Sequence, residues 1–246
     1  MKKLILLMLS LALLFVFRSD AEAVSFAFSG QDEGGTGSAT MDISISDNTL
    51  TAILRNTSPT SLDNGSGDNA PGITGFGLIL SNSSSLNLAS WGLTAYDTAG
   101  GDIVTIGSLD AGGSGTGADG TANTADDEWI LNTSMAGISL DFLPTTDQEN
   151  IDGALFSPAA SESSTLPGGQ NDVFFTEAIL TLVFNETPNL DTSYSFSPFV
   201  RMQNVGDGGD GSLKLGGEPV PEPTTMLLLG TRLIGLSVIQ RKRYKK

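Results

Sequence analysis

The chain has 246 residues, 12 Lys and Arg against 28 Asp and Glu, and neither His nor Cys, for a formal net charge of −16. Histidine chemistry is excluded outright: there is no Ser-His-Asp triad, no imidazole ligand and no side chain with an ordinary pKa near neutrality. Disulfides, thiol nucleophiles and thiolate metal sites are excluded too, and so acidic a chain repels nucleic acid, whose binding rests on Lys and Arg meeting phosphates.

The charge is unevenly spread. Residues 24–218 hold 25 of the acidic residues and only three bases, Arg55, Arg201 and Lys214, a formal charge of −22. The remaining bases lie in the two terminal segments, all but Arg232 flanking apolar runs, the arrangement that sets orientation in a membrane. Met1-Lys2-Lys3 is positive, residues 4–17 are almost wholly apolar, and Ala21-Glu22-Ala23 places small residues two apart. This is the three-part pattern of a secretory signal peptide, with Ala21 and Ala23 as the cleavage-site residues and the cut after Ala23. The apolar run is short for a bilayer span, which disfavours an uncleaved anchor.

Residues 24–218 are enough for one domain with a sizeable core. Their apolar residues come in short runs separated by Gly, Asn, Asp and Ser, the punctuation of an all-β chain. Strands are expected at 24–29, 41–46, 50–54, 73–80, 86–96, 103–106, 128–131, 138–142, 173–184 and 194–202. Alternation is clearest in Met41-Asp42-Ile43-Ser44-Ile45-Ser46, where Met41, Ile43 and Ile45 face a core; with the run after Asp47-Asn48 it reads as a β-hairpin. Ala178 to Phe184 is apolar on both faces, as a central strand is. Long loops between strands of unequal length favour an antiparallel β-sandwich over a barrel.

Oxygen donors are densest in the stretch Asp119-Gly120-Thr121-Ala122-Asn123-Thr124-Ala125-Asp126-Asp127-Glu128. Calcium takes six to eight oxygens, so Asp119, Asn123, Asp126, Asp127 and Glu128 are candidate calcium ligands, although the glycine and terminal glutamate do not fall where an EF-hand loop has them. A solvated acidic loop is the simpler reading. Asp207-Gly208-Gly209-Asp210-Gly211 and the segment 63–68 are weaker versions. Gly115-Thr116-Gly117-Ala118-Asp119-Gly120 matches Gly-x-Gly-x-x-Gly, but no helix follows to receive a phosphate. Paired carboxylates suffice for glycoside hydrolysis without His or Cys, yet so many acids place some pair close together whatever the function. Asp191-Thr192-Ser193 lacks the second motif an aspartic-protease dyad needs. Trp91, Tyr96 and Trp129 could stack on sugar rings if exposed; alternation favours burial of Trp91 with Leu93 and Ala95.

At the C-terminus, Val220-Pro221-Glu222-Pro223 precedes a mostly apolar run, residues 224–240, and the tail Arg241-Lys242-Arg243-Tyr244-Lys245-Lys246. The prolines keep the chain extended and out of helix, the form a protease cleft binds. The basic residues Arg241, Lys242, Arg243, Lys245 and Lys246 hold the tail on the cytoplasmic side and leave the rest of the chain outside. Arg232 within the apolar run costs about 2.5–3.5 kcal/mol on insertion scales, which makes it a weak permanent anchor.

Motif, apolar helix, basic cluster and terminal position together resemble the PEP-CTERM sorting signal of Gram-negative bacteria. A plain stop-transfer anchor explains the helix and tail but not Pro-Glu-Pro. The resemblance implies recognition and removal of the signal by exosortase, a membrane protease-transpeptidase, and association with extracellular polysaccharide and biofilm. More loosely, Gly72-Ile73-Thr74-Gly75-Phe76-Gly77 and Pro198-Phe199-Val200-Arg201-Met202-Gln203 are similar to ectodomains carried by such signals.

The expected organisation is a signal peptide (1–23), a β-sandwich ectodomain (24–218) and a sorting signal with a transmembrane helix (219–246). The function expected is that of a non-enzymatic exported protein. It would meet the general secretion machinery, the inner membrane and then exosortase, and be retained at the cell surface or in an extracellular polysaccharide matrix. The alternatives are a carbohydrate- or calcium-binding adhesin module and a carboxylate-dependent glycan hydrolase.

Overall fold

The structure, a computed structural model, describes residues 22–59, 71–82, 84–97, 103–108, 129–134, 137–142, 154–157, 174–190, 198–206 and 211–220. Among them there are strands and no helix: β1 (Glu22–Asp32), β2 (Gly35–Ser46), β3 (Thr49–Asn56), β4 (Gly72–Leu78), β5 (Leu88–Asp97), β6 (Ile103–Ser108), β7 (Trp129–Ser134), β8 (Gly137–Phe142), β9 (Leu155–Phe156), β10 (Phe174–Phe184), β11 (Phe199–Val205), β12 (Gly211–Gly216) and β13 (Glu218–Val220).

The first three strands form a meander because their turns suit it. Glu33 and Gly34 both take positive φ, 44° and 82°, as a two-residue turn matched to strand twist requires. Asp47, at φ 52°, opens the next turn. In β2 the inward set Ala39, Met41, Ile43 and Ile45 is buried, and in β3 so are Leu50, Ala52 and Leu54. A one-residue slip would expose all of them, which fixes the register Ile43↔Ala52.

Hydrogen-bonded neighbours run β12-β11-β4-β9-β10-β3-β2-β1-β13, with β5 joining β10 to β6 and β8 joining β4 to β7. All pairs are antiparallel except β9 with β10. As expected of a strand apolar on both faces, β10 is central: it pairs with β3 on one side and β5 on the other. β1 and β2 lie face to face over β11 and β12. A Cβ on Gly37 would come 2.6 Å from Met202 Sδ and 2.8 Å from Leu213 Cδ1, so glycine sets how closely these layers approach. Between them lies one core that includes Phe26, Phe28, Met41, Leu54, Leu180 and Met202. Burial of each such side chain contributes about 1.5–3 kcal/mol.

Each of the ten expected strands overlaps an observed one, although β2 begins earlier, at Gly35, β4 stops at Leu78, and of 194–202 only the part from Phe199 lies in β11, 194–197 being outside the described residues. Three strands were not anticipated. β9 is only two residues long, β12 (Gly211-Ser212-Leu213-Lys214-Leu215-Gly216) has too few apolar residues to stand out, and β13 contains Pro219. Proline is tolerated in β13 because that strand is an edge. β1 starts at Glu22 and β13 continues to Val220.

Candidate functional site: the paired strands β1 and β13

The chain reaches β13 by changing layers. After β12, which pairs with β11, it passes through Gly217 and pairs with β1 on the other side of the core. Gly217 N donates to Pro198 O at 2.8 Å, which fixes the crossing point. A Cβ on Gly217 would meet Phe28 Cε1 and Cζ at 2.9 Å and Phe26 Cβ at 3.1 Å. Only glycine lets the backbone pass so close to these two buried side chains.

The resulting register is Ala27↔Glu218, Phe26↔Pro219 and Ser25↔Val220. All three residues of β13 are exposed, and Val220, the first residue of the expected sorting motif, is 43% exposed. Ala23, on the N-terminal side of the expected signal cleavage, lies exposed on β1 opposite Ser44, and Val24 pairs with Ile43. The structure thus brings one residue of each expected processing point to the same end of the same strand pair. Ala21, Pro221, Glu222 and Pro223, the apolar run and the basic tail lie outside the described residues.

Next to this edge a polar chain runs across four strands on the outer face. Ser25 Oγ donates to Asp42 Oδ1 at 2.7 Å. Arg55 Nη1 donates to Asp42 Oδ2 at 2.6 Å, and Arg55 Nε and Nη2 reach Glu177 Oε2 at 3.1 and 3.0 Å. The Ser25 hydroxyl, followed by the Arg55 guanidinium, holds the Asp42 carboxyl below its ordinary value. The Asp42 carboxylate in turn raises the Arg55 pKa. A general acid needs its carboxyl moved the other way, toward neutrality, so this group is an ionic tie between strands. Sequence reasoning did not single it out. The alternation that buries Met41, Ile43 and Leu54 also turns Asp42 and Arg55 outward on neighbouring strands, and that was the available signal.

The expected calcium ligands Asp119, Asn123, Asp126, Asp127 and Glu128 lie outside the described residues, as do the segments 63–68, 115–120, 191–193 and 207–210. Among the described residues no three or more carboxylates gather as a metal site would require. Asp32 is occupied structurally: Oδ2 accepts from Ser212 N at 2.9 Å and Oδ1 from Glu33 N at 3.1 Å. Trp129 is fully buried, with its ring centroid 5.8 Å from that of Phe76, and Trp91 is 8% exposed. Neither offers a flat face to a sugar; the side chain of Tyr96 is outside the described set. No protein family, curated protein or solved structure compared with the chain matches it.

Proposed function

We propose that this chain is a non-enzymatic exported protein, cut from its leader after Ala23, processed by exosortase at Val220-Pro221-Glu222-Pro223, and retained at the surface or in the extracellular polysaccharide of a Gram-negative bacterium. The observation that carries the reading is the order of extended Pro-Glu-Pro motif, apolar run and five-base tail at the C-terminus. The fold is compatible with it. Val220, the first residue of the motif, lies exposed in the edge strand β13, paired with Ser25, and the rest of the motif lies outside the described residues.

The ectodomain in this reading is an antiparallel β-sandwich, its layers being the β1–β2 and β11–β12 faces that close on Gly37 and Met202. Burial of Trp91 and Trp129 gives the adhesin alternative no support from those two residues.

Intact-mass measurement of the mature protein from its native host tests the proposal. The expected chain starts at Val24 and ends near Pro221-Glu222-Pro223. Recovery of a chain ending at Lys246 would overturn it.

A further inference from the structure

The two ends of the described fold leave it at one corner. β1 starts at Glu22, and antiparallel β13 stops at Val220 opposite Ser25. The same end of the molecule carries the Asp47-Asn48 turn, Asn185 and Glu186 after β10, and Asn87 before β5. These are locked to one another: Phe184 N donates to Asn48 O at 2.9 Å, Asn48 Nδ2 to Phe184 O at 2.7 Å, Asn185 N to Asn87 O at 3.0 Å and Asn87 N to Asn185 Oδ1 at 2.7 Å. Asp47, Asn87, Asn185 and Glu186 are all exposed, so the corner is bordered by a rigid rim of amides and two carboxylates.

Chain length limits how far this rim can stand from a membrane. Three residues separate Val220 from the apolar run that begins at Thr224, and four separate Glu22 from the run that ends at Phe17. Fully extended, those connections reach at most about 14 and 18 Å. At about 3.3 Å per residue, the stretch of β1 from Ser25 to Asp32 is about 23 Å long. Both tethers are therefore shorter than the strand and attach at the same end of it.

We infer that, while its apolar segments are in the bilayer, the domain stands with the rim of Asp47, Asn48, Asn87, Asn185 and Glu186 facing the lipid headgroups and the Glu33-Gly34 turn pointing outward. The partner of this rim is a bilayer surface. Its amides hydrogen-bond to headgroup oxygens and water without inserting apolar groups, and its two carboxylates keep it from pressing against anionic lipid. The inference rests on the proposed membrane sorting.

The test uses the full-length chain in phosphatidylcholine vesicles containing a headgroup-spin-labelled lipid. Because the protein has no cysteine, Glu186→Cys and Gln31→Cys, both at exposed positions, each take one fluorophore. The expected result is that both variants float with the vesicles and the label at position 186 is quenched several-fold more than that at 31. Equal quenching, or stronger quenching at 31, overturns the orientation while leaving membrane sorting intact. Failure to float overturns the membrane reading and this inference with it.

Discussion

Gly217 lies against the ring of Phe28, with room for a hydrogen and none for a methyl: a Cβ there would sit 2.9 Å from Cε1 and Cζ of a side chain that is itself 2% exposed. This contact allows the last strand to cross the core edge and seal β1. Gly217→Val is expected to destabilise the domain by about 1–3 kcal/mol, since neither ring nor backbone can yield cheaply. The check is a lower urea midpoint together with faster amide exchange at 25–27. A variant with unchanged exchange there would show that β13 docks without the glycine.

Glycines elsewhere should rank by what a side chain would strike. A Cβ on Gly35 runs into the backbone of Gly206, whereas on Gly30 it meets the tip of Leu215, which can rotate. Gly35→Ala should therefore lower the thermal midpoint clearly more than Gly30→Ala. Equal losses would contradict the close approach of the β1–β2 and β11–β12 turns.

Asp42 predicts a pH dependence. Its carboxyl is held below the ordinary value by Ser25 and Arg55, so its contribution is present above the unfolded-state pKa, about 3.9, and is lost as pH falls through the lower folded-state value. Because Asp42 and Arg55 are well exposed, at 45% and 38%, the contribution is small, about 0.2–1 kcal/mol. Ser25→Ala should move the Asp42 titration, followed by carboxyl NMR, upward toward the ordinary value. An unmoved titration would remove the serine as the leading cause.

Asn56 is 2% exposed and satisfies three backbone groups: Nδ2 donates to Pro71 O at 2.6 Å and Leu155 O at 2.8 Å, and Oδ1 accepts from Ser58 N at 3.0 Å. Asn56→Ala removes the amide partner of all three, at about 1–3 kcal/mol for each buried group left unsatisfied. Urea unfolding should show a loss of at least about 2 kcal/mol; a loss under about 0.5 would mean that water replaces the amide.

Tryptophan fluorescence bears on the sugar-binding alternative. With Trp129 fully buried and Trp91 nearly so, emission should be blue-shifted, weakly quenched by iodide, and unchanged by soluble glycans. A glycan-dependent shift would put one of these rings at a binding face.

The strands rich in alternating apolar residues were legible because burial on one side imposes a period of two, and β2, β3 and β5 carry it openly, while β10 shows as a continuous apolar run. The strands that sequence missed are those whose pairing comes from position. β13 has a proline and no alternation, and exists as a strand only because β1 offers an unpaired edge beside Gly217. The ionic tie escaped notice for a similar reason: Asp42, Arg55 and Glu177 are far apart in the chain and become neighbours only when β2, β3 and β10 align.

The sequence by itself determined an acidic, His- and Cys-free, β-rich chain with a leader-like start and a Pro-Glu-Pro, apolar, basic end, because composition and local order are properties of the chain alone. Only the tertiary structure decided that residues 23 and 220 come to one corner, that Trp129 is a core residue, and that β1 and β13 pair with each other. These are contacts between residues distant in sequence, and what selects them is the burial of inward faces in one register and the close approaches that glycine permits.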